Sequence, residues 1–288
     1  MARSRGAPRS RKRGGAISID PGARPPRDPA PPGTAFQALT AHNPSPFTLE
    51  GTNTYVLGAG GQAVVIDPGP DDGAHVAHVL AYAAAAGRRV GLILLTHRHH
   101  DHQGAADALA HATGARVRGW TDPEAPLRDG EGIAVDGGRL QVLHTPGHAR
   151  DHVVFYWESE RVLFSGDLIL GEGTVNITPP GGSMADYLQS LERVAGLQLT
   201  LIAPGHGPLV RAPHQRITEY LAHRRRREQQ VLELLADGPQ TAQALVAAIY
   251  PDLDPRLRGA AEGTITAHLQ KLVDEGRVRQ TRASFTLR

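Results

Sequence analysis

The segment of residues 96–102, with the sequence THRHHDH, constrains the fold of this chain more than any other feature. It follows the apolar run GLILL and precedes a helical pattern, so four histidines and one aspartate lie at a predicted strand-to-helix junction. His97 and His99 would point to opposite faces of a continuous strand, so they converge only if the backbone turns between them. Packing so many titratable groups together without a cation leaves buried polar groups unpaired. The segment therefore predicts a metal site.

Three further donors each follow a predicted strand and a glycine, namely His148 in HTPGH, Asp167 in FSGD and His206 in APGHG. An α/β scaffold places its chemistry at the carboxyl ends of strands, so we expect these side chains to meet the histidine segment there. The chain has no cysteine, and imidazole and carboxylate donors without sulfur suit zinc, with manganese or iron as weaker candidates. Seven donors exceed one tetrahedral zinc site, which favours two neighbouring metal ions.

The middle of the chain alternates between short aliphatic runs and amphipathic patterns, which predicts α/β organisation. Predicted strands cover residues 55–57, 63–67, 91–96, 139–144, 153–157, 161–165 and 199–203, and predicted helices cover 73–86, 104–113 and 184–194. Helical patterns at 215–236, 241–250 and 257–275 follow, and then come two alternating runs at 278–281 and 284–287. Three helices and a terminal hairpin are typical of a winged helix.

Charge and composition divide the chain in the same way. Residues 1–33 carry eight basic and two acidic groups among many Gly and Pro residues, which predicts a disordered tail; a polyanion-binding arm, a transit peptide and an inert start are alternative interpretations. We expect a catalytic domain over 34–214 and a winged-helix domain over 215–288. No apolar run reaches the ~18 residues of a membrane helix and no signal-peptide core follows the basic start, so we expect a cytoplasmic protein.

The motif formed by His97, His99, Asp101 and His102 resembles the HxHxDH signature of the metallo-β-lactamase superfamily. The resemblance implies an αββα sandwich with the metals at one edge of its β layers. It also implies which residues bind each ion: His97, His99 and His148 the first, Asp101, His102 and His206 the second, and Asp167 both. His99 stands where related di-iron flavoproteins have Glu, which favours zinc. Class B1 lactamases have a Cys ligand that this chain lacks, so the resemblance does not imply lactamase activity.

A narrower resemblance covers nearly everything after the tail. The segments NPSPFTLEGTNTYVLG, HTPGHARDH, FSGDLILGEGT, PGHGPLV and HRRRREQQ look like those of the beta-lactamase-like protein 2 family. The better-known members of that family are endoribonucleases acting on single-stranded RNA, and related fungal proteins are thioesterases that release acyl groups from polyketide synthase carriers. The resemblance therefore implies RNA or a small acyl thioester as substrate, and it leaves a homodimer open.

Two carboxylates are assigned roles around the metals. A hydroxide shared by two zinc ions is available at neutral pH, and Asp101 is the group best placed to accept the proton of the water that forms it. Asp67, in VVIDPG, is expected to orient a metal-binding histidine, because such histidines normally donate their other N–H to an acceptor. A turn-forming Asp before Pro-Gly is the alternative interpretation. His100, His144 and His152 are not expected to bind metal.

Substrate contacts are predicted at two places. The resemblance implies that Asn53, Thr54 and Tyr55 line the cleft. The basic run at 224–227 is expected to be either a solvated helix face or a strip that contacts phosphates, with Arg224 and Arg225 as the named candidates.

Three functions follow from these expectations. The first is a dinuclear zinc hydrolase that cleaves phosphodiesters in single-stranded RNA. The second is a thioesterase or glyoxalase-II-like hydrolase, and the third is a DNA-binding regulator in which the metal domain acts as a sensor. The excess of acidic over basic groups in residues 34–215, eighteen against eleven, means that the basic lobe and tail would have to supply most of the attraction for RNA.

Overall fold

Two five-stranded sheets form the centre of the molecule, seen in a computed structural model that describes residues 36–58 and 60–288. The first sheet has the order β1-β2-β3-β4-β5, and the second has the order β10-β9-β8-β7-β6. The strands of the first are Phe36–Thr40, Asn53–Leu57, Gln62–Ile66, Arg89–Leu94 and Arg116–Arg118. Those of the second, β6 to β10, are Gly132–Val135, Gly138–His144, Val153–Trp157, Val162–Gly166 and Leu201–Pro204.

Seven α-helices complete the fold of the described residues. Helices α1 to α4 are Gly73–Ala85, His100–Gln103, Ala106–Thr113 and Met184–Ala195. Helices α5 to α7 are Pro213–Ala236, Ala242–Ile249 and Arg258–Asp274, and the chain ends with strands β11, Val278–Thr281, and β12, Ser284–Leu287. None of the helices in the described part of the chain is long and apolar enough to cross a membrane.

Apolar side chains between the two sheets make the central core. Tyr55, Phe155, Phe164 and Trp157 are all buried there, and the Tyr55 and Phe164 rings meet edge to face with centroids 5.1 Å apart. Burial of each such aromatic side chain stabilises the fold by roughly 2 to 3 kcal/mol. Because α1 and α3 cover the outer face of the first sheet and α4 and α5 that of the second, the layers are αββα, as expected.

The expected winged helix is also present. Its separate core joins the second half of α5 to α6, α7 and the β11–β12 hairpin, with Leu235, Leu245, Leu269 and Phe285 buried. The Thr241 hydroxyl accepts a hydrogen bond from the Ala244 N–H at 3.1 Å, which caps α6 where the sequence predicts a helix start.

Helix α5 links the two units. Ile217 and Tyr220 in its first half belong to the core against the second sheet, whereas Val231 and Leu235 belong to the core of the winged helix. The domain limits 34–214 and 215–288 therefore stay a proposal, because α5 is shared between both cores. The predicted tail over residues 1–33 lies outside the described residues.

Sequence patterns missed three of the described strands and misjudged one helix. Strands β1, β5 and β6 have only three to five residues each and lie at or near sheet edges, so their alternation is too short to detect. The helix expected over residues 104–113 begins two residues later, as α3, and the short helix α2 precedes it. The two helices are separate because the Ala105 N–H donates to the Gly69 carbonyl instead of continuing the helical ladder.

The basic run on α5 is not one exposed strip. Arg224 is only 2% exposed; its guanidinium donates to the Val175 carbonyl and lies over the Tyr187 ring, 5.2 Å from the centroid. The expectation that Arg224 contacts substrate is therefore wrong, because its donor is buried in the protein. Arg225 is exposed, and its guanidinium lies 3.5 Å from the Glu192 carboxylate.

This difference predicts unequal effects of two neighbouring substitutions. Arg224→Ala should lower the free energy of unfolding by about 2 kcal/mol, because it leaves the Val175 carbonyl unpaired and removes a packed side chain. Arg225→Ala should change it by less than about 0.5 kcal/mol, because exposed ion pairs are screened. Urea denaturation of both variants measures the difference. Equal effects would show that the burial of Arg224 contributes nothing to the free energy of unfolding.

Candidate metal centre

Strand ends from both sheets bring the candidate donors to one edge of the molecule. Residues 96–102 follow β4 and extend into helix α2, and His148 follows β7. Asp167 comes directly after β9, and His206 comes two residues after β10. The donors from both sheets therefore meet where the sandwich opens.

One cluster contains three imidazoles. The His99 Nδ1 lies 2.9 Å from the His97 Nε2 and 2.9 Å from the His148 Nε2. The His148 Nε2 lies 3.5 Å from the Asp167 Oδ2. Each of these four residues offers one donor atom to a common point, so together they form a group that could hold one cation.

A second cluster lies beside the first. The His206 Nε2 is 3.3 Å from the His102 Nε2 and 3.3 Å from the Asp101 Oδ2. The Asp167 Oδ1 lies 3.4 Å from both of these His nitrogens. The two oxygens of Asp167 thus face different clusters, which is the position a carboxylate needs to contact two neighbouring ions.

The outward hydrogen bonds fix which imidazole nitrogens carry protons. The His148 Nδ1 donates to the Asn176 carbonyl at 2.8 Å, and the His206 Nδ1 donates to the Gly51 carbonyl at 3.2 Å. The Thr96 hydroxyl donates its proton to Asp67, so at its 3.0 Å contact with the His97 Nδ1 it accepts. In a neutral ring the other nitrogen is then a lone pair, so the Nε2 atoms face one another as acceptors.

Converging acceptors require a cation between them. The Asp167 Oδ1 is buried and has no hydrogen-bond partner among residues 36–58 and 60–288. A buried carboxylate oxygen beside several imidazole lone pairs costs free energy unless a positive charge satisfies it. The donor set, nitrogen and oxygen without sulfur, therefore fits divalent metal ions.

The pKa values of the donors also indicate that the buried carboxylates need positive charge beside them. Burial would raise the pKa of Asp167, but His206 and His102 hold it well below its ordinary value. Burial would lower the pKa of His206, yet the carboxylates of Asp167 and Asp101 raise it to about 9. Burial dominates at His97, where the pKa is lowered. Without metal, the carboxylates favour protons on the second cluster, at the positions where cations would bind.

Asp67 lies behind the second cluster and is hydrogen-bonded to His102. Its Oδ2 accepts from the His102 Nδ1 at 2.8 Å and from the Thr96 hydroxyl at 2.7 Å, while its Oδ1 accepts from the Thr96 N–H at 2.8 Å. Its backbone is left-handed, with φ of 50°, and the residue is 2% exposed. Asp67 thus forms a turn and also orients His102 toward the second cluster.

His152 supports the centre although it offers no donor to either cluster. Its Nε2 accepts from the Asp167 N–H at 3.1 Å, and its Nδ1 donates to the Thr145 hydroxyl at 3.0 Å. It therefore fixes the backbone of Asp167. The sequence shows only a histidine at a strand start, and the partner is a main-chain N–H that no motif reveals. His144 stacks on Trp120 with centroids 3.9 Å apart, and His100 is exposed.

The expected cleft residues of strand β2 are buried instead. The Asn53 amide donates to the carbonyls of Pro204 and Gly207, and the Tyr55 hydroxyl donates to the Pro204 carbonyl at 2.8 Å. The Thr54 hydroxyl donates to the Asp67 carbonyl at 2.7 Å. The prediction that Asn53, Thr54 and Tyr55 line the cleft is wrong, because their polar atoms hold the loops that carry His206 and Asp67.

The opening beside the first cluster is a cavity of about 460 Å³. It lies next to His99 and His148, and its other polar walls come from residues that the sequence did not single out: Arg150, Asp151, Asn176 and Thr178. A substrate in this cavity would reach the first cluster directly.

Comparison with known proteins agrees with both parts of the fold. The pattern of the Metallo-beta-lactamase superfamily matches residues 47–119 and 118–206, and that of the Beta-lactamase associated winged helix domain matches residues 241–285. The crystal structure of a metallo-beta-lactamase family protein from Thermus thermophilus is similar, with a TM-score of 0.75 and 30% identity over 88% of this chain and 99% of that one.

Two curated relatives cover most of the chain. The Beta-lactamase-like protein 2 homolog of Drosophila melanogaster is 36% identical over 267 residues, which are 84% of this chain and 89% of the relative. The Atrochrysone carboxyl ACP thioesterase of Aspergillus fumigatus is 31% identical over 227 residues, which are 72% of this chain and 71% of the relative.

The hydrogen bonds of Asp67 predict a selective loss of metal binding. Asp67→Asn should weaken metal affinity by about 10- to 100-fold, because it removes the charge that orients His102. Asp71→Asn changes an exposed carboxylate four residues along the chain and should leave the affinity unchanged. Competition with a chromogenic chelator measures both, and equal affinities for the two variants would contradict the role of Asp67.

Proposed function

The chain belongs to the metallo-β-lactamase superfamily and is a metal-dependent hydrolase, and we propose a specific reaction for it. In this proposal the protein cleaves phosphodiester bonds in single-stranded RNA with two zinc ions. The observation that carries the two-metal proposal is the position of Asp167, whose two oxygens face two separate donor clusters.

In this proposal each cluster binds one ion. His97, His99 and His148 hold the first ion, Asp101, His102 and His206 hold the second, and Asp167 contacts both. Zinc suits donors that are mainly imidazole nitrogens with no thiolate, whereas manganese and iron are weaker candidates.

When bound, such ions lower the pKa of a coordinated water and neutralise negative charge that develops on a substrate oxygen. Asp101 is the proposed proton acceptor. Its side chain is 29% exposed, more than those of Asp167, His102 and His206 around it, so it reaches both the second cluster and solvent. His206 contacts its Oδ2 at 3.3 Å and lowers the pKa of Asp101 against the effect of burial, which keeps Asp101 ionised and able to accept a proton.

The preference for RNA rests on the winged-helix unit. Arg225 and Arg226 are exposed on α5, and Arg279, Arg282 and Arg288 are exposed on or beside the β11–β12 hairpin. Exposed arginines can track a phosphate backbone without reading its sequence. The resemblance to the beta-lactamase-like protein 2 family, which extends through this unit, supports the same substrate.

Thioester hydrolysis is the second candidate. It is supported by the relative from Aspergillus fumigatus, which is named a thioesterase, and by the cavity beside His99 and His148, which has room for a small acyl arm. The same two clusters would serve, because a carbonyl oxygen develops negative charge as a phosphoryl oxygen does.

Parallel assays of the zinc-loaded protein separate the substrates. Labelled single-stranded RNA should be cleaved, and an acyl thioester and duplex DNA should be left intact. His102→Ala should reduce RNA cleavage by at least about 100-fold, because it opens the second cluster. His100→Ala removes an exposed histidine from the same segment and should retain activity. Thioester turnover with intact RNA would support the second candidate, and tight duplex binding without turnover would support a DNA-binding regulator.

The exposed arginines of α5 give a separate prediction. Replacing Arg225 and Arg226 with Gln should weaken RNA binding and reduce the slope of log affinity against log salt by about 0.7 for each phosphate that the protein no longer neutralises. Arg116 and Arg139 are exposed at the ends of β5 and β7 remote from the donors, so the same double change there is the control. An unchanged slope in the α5 variant would remove these arginines from RNA binding.

A further inference from the structure

The segment that follows Asp167 is held by the C-terminal helices. The Leu170 N–H donates to the Tyr220 hydroxyl at 2.9 Å, and the Arg216 guanidinium donates to the Gly173 carbonyl at 2.8 Å. Arg224 donates to the Val175 carbonyl. Three side chains of α5 thus fix successive backbone groups of residues 170–175, which lead from the metal centre to the cavity wall.

Helix α7 extends this support to a metal-centre histidine. The Thr264 hydroxyl donates to the Asn176 Oδ1 at 2.7 Å and accepts from the Ile177 N–H at 3.3 Å. The Asn176 carbonyl in turn accepts from the His148 Nδ1 at 2.8 Å. Two hydrogen bonds, both made by Asn176, therefore connect Thr264 of the winged helix to His148, whose Nε2 lies in the first cluster.

These contacts are buried and specific. Thr264 is 6% exposed, and both of its hydrogen bonds run to the 176–177 backbone and side chain rather than to its own helix. Thr266, two residues later, bonds instead to the Glu262 carbonyl within α7 at 2.7 Å. The hydroxyl of Thr264 therefore makes both of its hydrogen bonds with the segment that holds His148.

The neighbouring glycine shows how closely α7 approaches. A Cβ added at Gly263 would lie 2.5 Å from the Thr178 Oγ1 and 2.9 Å from its Cγ2. The Thr178 hydroxyl accepts from the Asn176 amide at 2.9 Å, so Thr178 cannot rotate away without losing that bond. Only glycine at 263 lets the helix touch the cavity wall without displacing it.

We propose that Thr264 is a positioning residue for the metal centre, which makes the winged helix a structural part of the active site. It anchors Asn176, and the Asn176 carbonyl fixes the ring orientation and the protonated nitrogen of His148, so that the His148 Nε2 faces the first cluster as a lone pair. This inference rests on the proposed function only in that His148 binds metal, and it is independent of the substrate.

The test compares three substitutions on α7. Thr264→Val removes the hydroxyl at nearly constant volume, Thr264→Ser retains it, and Thr266→Val makes the same change as the first at a position bonded within its own helix. Each protein is titrated with Co²⁺, and the absorption spectrum and the affinity of both bound ions are recorded. The melting temperature of each metal-free protein is measured alongside.

Thr264→Val should weaken one of the two Co²⁺ sites by about tenfold and alter the absorption of that ion, because outer hydrogen-bond partners of metal ligands have effects of this size. Thr264→Ser and Thr266→Val should match the wild type. A Thr264→Val protein that folds and binds both ions as the wild type does would overturn the inference. Wild-type protein that binds no Co²⁺ would overturn the proposed function as well, so the two failures are distinguishable.

A second variant keeps the test valid if Thr264→Val fails to fold. Gly263→Ala favours the helical state of α7, so a loss of metal affinity would come from displacement of Thr178 and Asn176 and not from a weaker helix. The same site should weaken, and in a protein that also carries Thr178→Ala, which lacks the two clashing atoms, Gly263→Ala should cause no further loss relative to Thr178→Ala alone. Unchanged affinity in Gly263→Ala would also overturn the inference.

Discussion

A buried carboxylate between two groups of imidazoles is the constraint on which the structure depends. Asp167 faces His148 with one oxygen and the pair His102 and His206 with the other, and burial makes its charge costly unless cations compensate it. The surrounding hydrogen bonds direct lone pairs inward at the same place. The αββα architecture is the means of holding these groups together, since it brings strand ends from two sheets to one edge.

The support of the centre is built largely from backbone groups and neutral side chains. His148 and His206 donate to main-chain carbonyls, His152 accepts from the N–H of Asp167, and His102 is oriented by a carboxylate, Asp67. Carbonyl acceptors fix the direction of an imidazole without adding charge. When the imidazoles are neutral, as metal ligands are, the charge of the site comes from Asp67, Asp101 and Asp167, which suits divalent cations.

The winged helix is joined to the metal-centre domain by a shared helix and by buried hydrogen bonds, which binding a substrate at its surface would not require. Helix α5 belongs to two cores, and Arg224, expected from its sequence neighbourhood to be available for phosphate, is used inside the protein to hold the backbone at Val175. Exposed arginines remain on the same helix and on the hairpin. The winged-helix unit and its linking helix thus use Arg224 inside the protein, where it holds the backbone at Val175, and keep other arginines at the surface.

The sequence by itself predicted the seven candidate donors, the strands that precede them and the presence of a winged helix, because alternation, helix breaks and glycines before the candidate donors are local signals. Only the tertiary structure decided that Asn53, Thr54 and Tyr55 are buried, that His152 holds Asp167, and that Thr264 reaches Asn176. Those contacts join residues far apart in the chain or end on backbone atoms. Every residue has the same backbone N–H and C=O apart from proline, so no side-chain pattern can mark which of them will be used.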